Sequence, residues 1–546
     1  MNINFSKVDF AFHNGSVITV NENDDVFEAV GIKNNKIVFV GSDKELKELT
    51  DENTKMVDLK GRTLMPGLID SHYHPILSGF FGDEPESSII NLGGCRSIKD
   101  IQNKIKAAVD TKKPGEWVSM MGYDEFKLKE KRHPKLKDLD EVSPNNPVQC
   151  MQRSGHISVY NTEALKILGV EKPEDAKKFP KNEVEVKNGE LTGMLKDHTH
   201  FSLWAKVAYS EERQREAAMK SHDFALKNGI TSVHDCGECD KPSYHIMQKL
   251  IREGTFKIRS YMMIHSIYGK PFSLEDNEHF LSLGFMTGLG DEHFRIGSCK
   301  FMIDGGSSAP SAALREPYSH DPELEGIMGW EEEETADYIK EIHDAECQAT
   351  AHALGDLAIE HMVKGYEKAF EDNPRPDLRH RIEHCTIVDQ DLIDRMAKMN
   401  ICPSLNPGMI QVGGKDYEKF YGERMKYFTA LRSMIDAGMK PSISSDYPSG
   451  PVGINVIDGA VNRYDREEDY QVDQTQSISV LEAIRLATYN GAYGSFEEDI
   501  KGSIEPGKLA DMIILSENIL EYPKEKLNEI KVDLTMIDGK VEFERA

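Results

Sequence analysis

Met65-Pro-Gly-Leu-Ile-Asp-Ser-His-Tyr-His74 reads as a short apolar strand that ends in two histidines. A strand sends residues i and i+2 to the same face. His72 and His74 can therefore present two imidazoles to one point beyond the strand, while Tyr73 points away and is expected to pack. Neutral imidazole is a good ligand for Zn²⁺ and related ions. An isolated His-x-His pair is a weak signal, and its meaning depends on the rest of the chain.

Downstream, short apolar strands alternate with longer helical stretches, the pattern of βαβ units. With Thr63–Asp70 as the first, the candidate strands are 231–235, 258–265, 295–303, 347–353, 380–385, 400–405 and 441–445. Eight such units predict a (β/α)₈ barrel of the TIM type. Both chain ends carry different material. Short strands such as Ser16-Val-Ile-Thr-Val, Lys36-Ile-Val-Phe-Val, Asp511-Met-Ile-Ile-Leu and Val532-Asp-Leu-Thr-Met-Ile are broken by turns at Asn34-Asn35 and Asp538-Gly539. Neither end closes a domain alone. Residues 1–62 and 500–546 are expected to form one β-sandwich domain, with the barrel over 63–499. About 160 residues separate the first two barrel strands, too many for a loop. Residues at about 80–211 are thus expected to form an insertion over the barrel mouth.

The C-terminal strand ends of such a barrel converge on one mouth. His352 ends the fifth candidate strand, His384 the sixth, and Asp446 follows the eighth. Four histidines and one aspartate gathered there are hard to explain as packing. Lys300 lies inside the apolar strand Ile296-Gly-Ser-Cys-Lys-Phe-Met-Ile. A buried ammonium is costly unless paired or neutralised. Pairing with Asp304 is one answer. Carbamylation to an anionic group that bridges two cations is the other. His156 and Arg153, in Arg153-Ser-Gly-His156 of the insertion, are candidate substrate contacts. His234-Asp235 reaches the same mouth and reads as a supporting pair.

Composition excludes several classes. Hydrophobic residues make up 39% and charged residues 29%, ordinary for a globular chain with a large core. A net charge of −27 repels nucleic acid and anionic lipid. No apolar run approaches the ~20 residues that span a bilayer, and the start lacks a signal-peptide layout. Eight cysteines are too sparse for a disulfide framework. Cys236 and Cys239 form one Cys-x-x-Cys without a second pair and read as structural thiols. A cytoplasmic location, a small-molecule substrate and no nucleic-acid or membrane partner are the expectations.

With these residues assembled, the chain resembles the amidohydrolase superfamily, in the branch of N-substituted formamide deformylase and the YtcJ-like proteins. The likeness runs over essentially the whole chain. It is carried by Pro66-Gly-Leu-Ile-Asp-Ser-His-Tyr-His, Ser154-Gly-His-Ile-Ser-Val-Tyr-Asn-Thr-Glu-Ala-Leu165, Gly229-Ile-Thr-Ser-Val-His-Asp235 and Gly502-Ser-Ile-Glu-Pro-Gly-Lys-Leu-Ala-Asp511. The resemblance implies a barrel flanked by a β-sandwich from both termini. It also implies a metal centre of two zinc ions, with one ion or another divalent metal as the alternative, and a homodimer. Residue by residue, His72 and His74 match the first-strand pair, Lys300 the carbamylated bridging lysine, His352 and His384 the fifth- and sixth-strand ligands, and Asp446 the eighth-strand acid. One departure stands out. The branch follows its strand-four lysine with Asp-Gly-Ser, whereas this chain has Asp304-Gly-Gly-Ser307, one residue longer. The stretch 406–428, with Gly413-Gly414, is also individual to this chain.

The expected reaction is hydrolysis of a non-peptide, amide-type C–N bond. Hydroxide generated at the metal attacks, Asp446 shuttles the proton to the departing amine, and His384 assists at the oxyanion. A metal-dependent lyase or isomerase and a cyclic amide or imide hydrolase are the alternatives. The fold does not choose the substrate.

Overall fold

Eight parallel strands form the centre of the protein, and each pairs with the next in chain order. They are β1 (Leu68–Tyr73), β2 (Ile230–Asp235), β3 (Arg259–Ile264), β4 (Phe294–Met302), β5 (Ala349–Ala353), β6 (Arg381–His384), β7 (Cys402–Leu405) and β8 (Ser442–Ile443). Between β8 and β1 the ring is drawn together by the residues just past β8. The Asp446 amide donates to His72 O at 2.9 Å, and Ser445 Oγ donates to Asp70 Oδ2 at 2.6 Å. The result is the (β/α)₈ barrel expected from the alternating pattern. This computed structural model describes residues 7–204, 207, 209–237, 241–265, 275–308, 310–375 and 377–546.

The helices around the barrel start where the sequence supplies caps. Ser210 accepts from Arg213 N at the head of Glu211–Lys227, and Asp389 accepts from Leu392 N at the head of Gln390–Lys398. Gln390–Lys398 buries Leu392, Ile393 and Met396, one stripe at helical spacing, against the barrel.

The first strand differs from expectation. Thr63–Asp70 is not one element. Thr63–Pro66 pairs with Ser16–Ile18 and with Met512–Leu515 in a sheet built from both termini, and β1 starts only at Leu68. Gly67 makes the crossing. A Cβ there would sit 2.2 Å from Thr231 Oγ1 on β2, so no larger residue fits between the two sheets. The terminal sheet has six strands, in the order Lys540–Glu544, Val532–Ile537, Met512–Leu515, Thr63–Pro66, Ser16–Ile18 and Val26–Phe27. It packs on a four-stranded sheet from the N-terminal region through Phe12, Val17, Ile32, Leu64, Ile514 and Met536.

The stretch after β1 holds a seven-stranded sheet running from Phe81–Gly82 to Val184–Lys187 and Glu190–Lys196. Its own apolar core includes Ile101, Ile105, Val118, Met120, Val148 and Val159. Among the described residues no helix is long and apolar enough to cross a membrane. The described cysteines are unpaired and buried, Cys236 among them; Cys239 lies outside the described residues.

Candidate metal centre

His72 lies within β1 and His74 one residue past it, on the same face of the chain. Their Nε2 atoms are each 3.5 Å from Asp446 Oδ1. His384, the last residue of β6, brings its ring to 4.5 Å from that of His72, centroid to centroid. The ring of His352, on β5, is 4.6 Å from that of His384. Lys300, on β4, places Nζ 3.4 Å from His72 Nε2. Five strands or strand ends thus deliver the six predicted residues to one mouth. Ligand atoms of His72, His74 and Asp446 all lie within 4.8 Å of one another.

Backbone geometry at this mouth is unusual. His384, Cys385 and Asp446 are non-glycine residues at positive φ, of 70°, 42° and 54°. Such conformations cost on the order of 1–3 kcal/mol each, and they gather where a site constrains side-chain aim.

Burial sets the charge states. It pushes the imidazoles of His72 and His352 well below the ordinary histidine pKa, with Lys300 and His384 adding to the effect at His72. Burial also lowers His384. At Asp446 burial pushes the carboxyl up, but the bond from His74 and the neighbouring imidazoles outweigh it and hold the group far below the usual carboxylate range. Neutral imidazoles and an ionised carboxylate are the protonation states that bind metal. His74 Nδ1 is buried without a hydrogen-bond partner. Imidazole lone pairs turned towards one point repel unless a cation sits between them, so this donor set fits a divalent ion.

Lys300 does not pair with Asp304. The Asp304 carboxylate is filled by the amides of Ala313, Leu354 and Gly355 at 2.8–3.0 Å. Among the described residues, no ion pair to Lys300 is formed.

Above the metal residues is a cavity walled by Leu77, Met121, Met151, Phe201, Trp204 and Met302. His156 enters it from the insertion, its ring 5.2 Å from that of His352. Its Nδ1 is 2.9 Å from Asp197 Oδ1. Gly306, in the loop after Lys300, leaves room for it, since a Cβ there would lie 3.1 Å from His156 Cδ2. Arg153 is placed differently. It does not line the cavity; its Nη1 donates to Val412 O at 2.6 Å and its Nε lies 3.2 Å from Asp124 Oδ2. It ties the insertion to the helix Ile410–Tyr421, within the stretch noted as individual.

Several supporting residues were missed in the sequence. Glu383 holds His72 Nδ1 at 2.7 Å, Asn406 Oδ1 holds His384 Nδ1 at 2.6 Å, and Asp197 holds His156. Glu383 had a signal: a carboxylate inside a barrel strand, Arg381-Ile-Glu-His384, needs buried partners. Asn406 and Asp197 lie outside strands and carried none. Tyr73 points away as expected, and its hydroxyl is 2.9 Å from Ser221 Oγ.

The same architecture occurs in known proteins. The model of the amidohydrolase family matches residues 55–543. The chain belongs to the amidohydrolase family. It is 28% identical over 93% of its length to protein LONG AFTER FAR-RED 3 of Arabidopsis thaliana, covering 87% of that protein. It is 25% identical to N-substituted formamide deformylase of Arthrobacter pascens, over 98% of both chains. With putative amidohydrolase YtcJ of Bacillus subtilis it shares 26% identity over 98% of this chain and 99% of that one. An uncharacterised metal-dependent hydrolase from Pyrococcus horikoshii superposes with a TM-score of 0.74 at 24% identity, over 94% of this chain and 99% of that one, which supports the fold. Membership makes the protein a hydrolase of a generally metal-dependent group.

Proposed function

We propose that this amidohydrolase cleaves a non-peptide, amide-type C–N bond in a small molecule, with N-substituted formamides and other N-acyl amines as the leading substrate class. One observation carries the proposal: the Asp446 carboxyl group, with one oxygen 3.5 Å from both His72 Nε2 and His74 Nε2, lies directly beneath an apolar-walled cavity. The formamide deformylase relative supports the choice of bond.

His72, His74, Lys300, His352, His384 and Asp446 would hold the ion or ions; two zinc ions are our reading. A divalent cation held there supplies Lewis acidity, polarising a carbonyl and acidifying water at neutral pH. Asp446 accepts the proton of the attacking water and returns it to the departing amine, so the carbonyl carbon gains oxygen as the C–N bond breaks. His384 donates Nδ1–H to Asn406 Oδ1, which leaves the Nε2 lone pair towards the site. That favours a ligand role over the oxyanion-donor role. The apolar wall takes the substrate's hydrocarbon part, and His156 supplies a polar contact above the metal residues.

The test is metal quantitation on the purified protein, followed by a screen of formamides, N-acyl amines, cyclic imides and ureido compounds. We expect bound divalent metal and release of a primary amine. Full activity in metal-free protein would overturn the reading. Reaction in H₂¹⁸O separates it from a lyase or isomerase, because only hydrolysis places the label in the acid product.

A further inference from the structure

Glu383 is fully buried at the centre of the barrel, on the inner side of the metal residues. Every acceptor position it offers is used. Oε1 accepts from Thr350 Oγ1 at 2.8 Å and from Arg381 Nε at 2.8 Å. Oε2 accepts from Arg381 Nη2 at 3.1 Å and lies 2.7 Å from His72 Nδ1. Arg381 is itself completely buried, and two further donors go to Ser71 O at 2.8 Å and to His234 Nδ1 at 2.7 Å. A guanidinium does not lose its proton in a protein, so its partner carboxylate stays charged and acceptor-only. The short contact at His72 must then be Nδ1–H donating to Glu383. The neutral ring has one proton, and with that proton on Nδ1 the lone pair is on Nε2, the atom facing Asp446 and Lys300.

We propose that Glu383, clamped by Arg381 and Thr350, is a positioning residue that fixes the proton on His72 Nδ1 and so sets the divalent-ion affinity of the site. A carboxylate behind a ligating histidine also makes the imidazole a stronger donor. His384 has a neutral tether, Asn406, in the equivalent place. The two histidines are thus supported differently, His72 by a charged carboxylate and His384 by a neutral amide. This inference rests on His72 being a ligand, as proposed above.

The experiment measures the Zn²⁺ dissociation constant by chelator competition on the full chain, with melting temperature recorded for each variant. Glu383→Gln is expected to weaken Zn²⁺ binding 10- to 100-fold, the usual effect of losing such a support. Because this leaves a buried guanidinium unpaired and can unfold the barrel, two further variants are included. Arg381→Met with Glu383→Gln removes both charges and should show the same 10- to 100-fold loss. Thr350→Val removes one donor without unpairing a charge and should give a smaller loss, up to about 10-fold. Zn²⁺ affinity within twofold of wild type in folded Thr350→Val and in a folded Glu383 variant would overturn the proposal. His72→Ala separates the two claims. If it loses Zn²⁺ while the Glu383 variants keep it, the ligand assignment stands and the positioning role falls. If the wild type itself takes up no Zn²⁺, both fall.

Discussion

His74 and Asp446 meet with Nε2 3.5 Å from Oδ1, although one follows the first barrel strand and the other the last. Closing the barrel is what creates this contact, and with it the acid–base group of the proposed reaction. Asp446→Asn keeps the shape of the side chain and removes its basicity. We expect kcat to fall by about 10²–10⁴, the range for a lost general acid–base, with a much smaller change in KM. Near-native kcat on an accepted amide would dismiss the assigned role.

Removal of metal tests the donor set as a whole. Dialysis against a chelator should abolish activity and lower the melting temperature, because the folded state alone presents the assembled ligands. Adding Zn²⁺ should restore both, and His74→Ala should bind less metal than wild type. A melting temperature unmoved by chelator and by Zn²⁺ would count against a bound ion.

The roof of the cavity gives a prediction about substrate affinity. Gly306→Ala places a Cβ 3.1 Å from His156 Cδ2, tight enough to shift the ring by a few tenths of an ångström. We expect a KM increase of a few fold with little change in melting temperature. His156→Phe, which also removes the polar contact, should raise KM by about tenfold or more, as for a lost hydrogen bond to substrate. Unchanged KM in both would place substrate elsewhere.

A histidine relay far from the mouth sets a pH limit on stability. His380 is fully buried; Ala349 N donates to its Nδ1 at 3.0 Å, and its Nε2 is 3.0 Å from His343 Nδ1. Burial, reinforced by His343, pushes His380 down to about 3. The unfolded chain takes up this proton near pH 6.5, and the folded chain does so only near pH 3. The stability gained from a neutral His380 is therefore complete above pH 6.5 and is lost progressively as pH falls towards 3. Urea unfolding at steps from pH 7 to 4 should show the decline. In His380→Asn the slope should be shallower by up to about 1.4 kcal/mol per pH unit, one proton's worth. An equal slope in both proteins would rule out His380 as the titrating group.

The barrel and its mouth were legible because strand period and strand-end position are local properties. His72, His74, His352, His384 and Asp446 each stand at or beside a strand end, and a barrel carries such ends to one place. Lys300 was legible for another reason, as a charge inside an apolar strand. The break at Gly67 was passed over although Pro66-Gly67 is a turn-type dipeptide, because the stretch 64–69 reads as one apolar run and both halves are buried strands. Only the close approach of Thr231, distant in sequence, shows why the chain changes sheet there. Arg153 and His156 looked alike as neighbours in one motif. A two-residue β spacing does not govern the turn between them, and they go to different places.

The passage of the chain from the terminal sheet into β1 has a consequence for synthesis. Thr63–Pro66, joined to β1 through Gly67, is flanked by Met512–Leu515. Asp446 arrives from the eighth barrel strand. A nascent chain on the ribosome thus exposes its two leading histidines early, with neither their carboxylate nor the clasp behind them yet translated. The proposed donor set is accordingly complete only once Asp446, far downstream of the two histidines, has been translated.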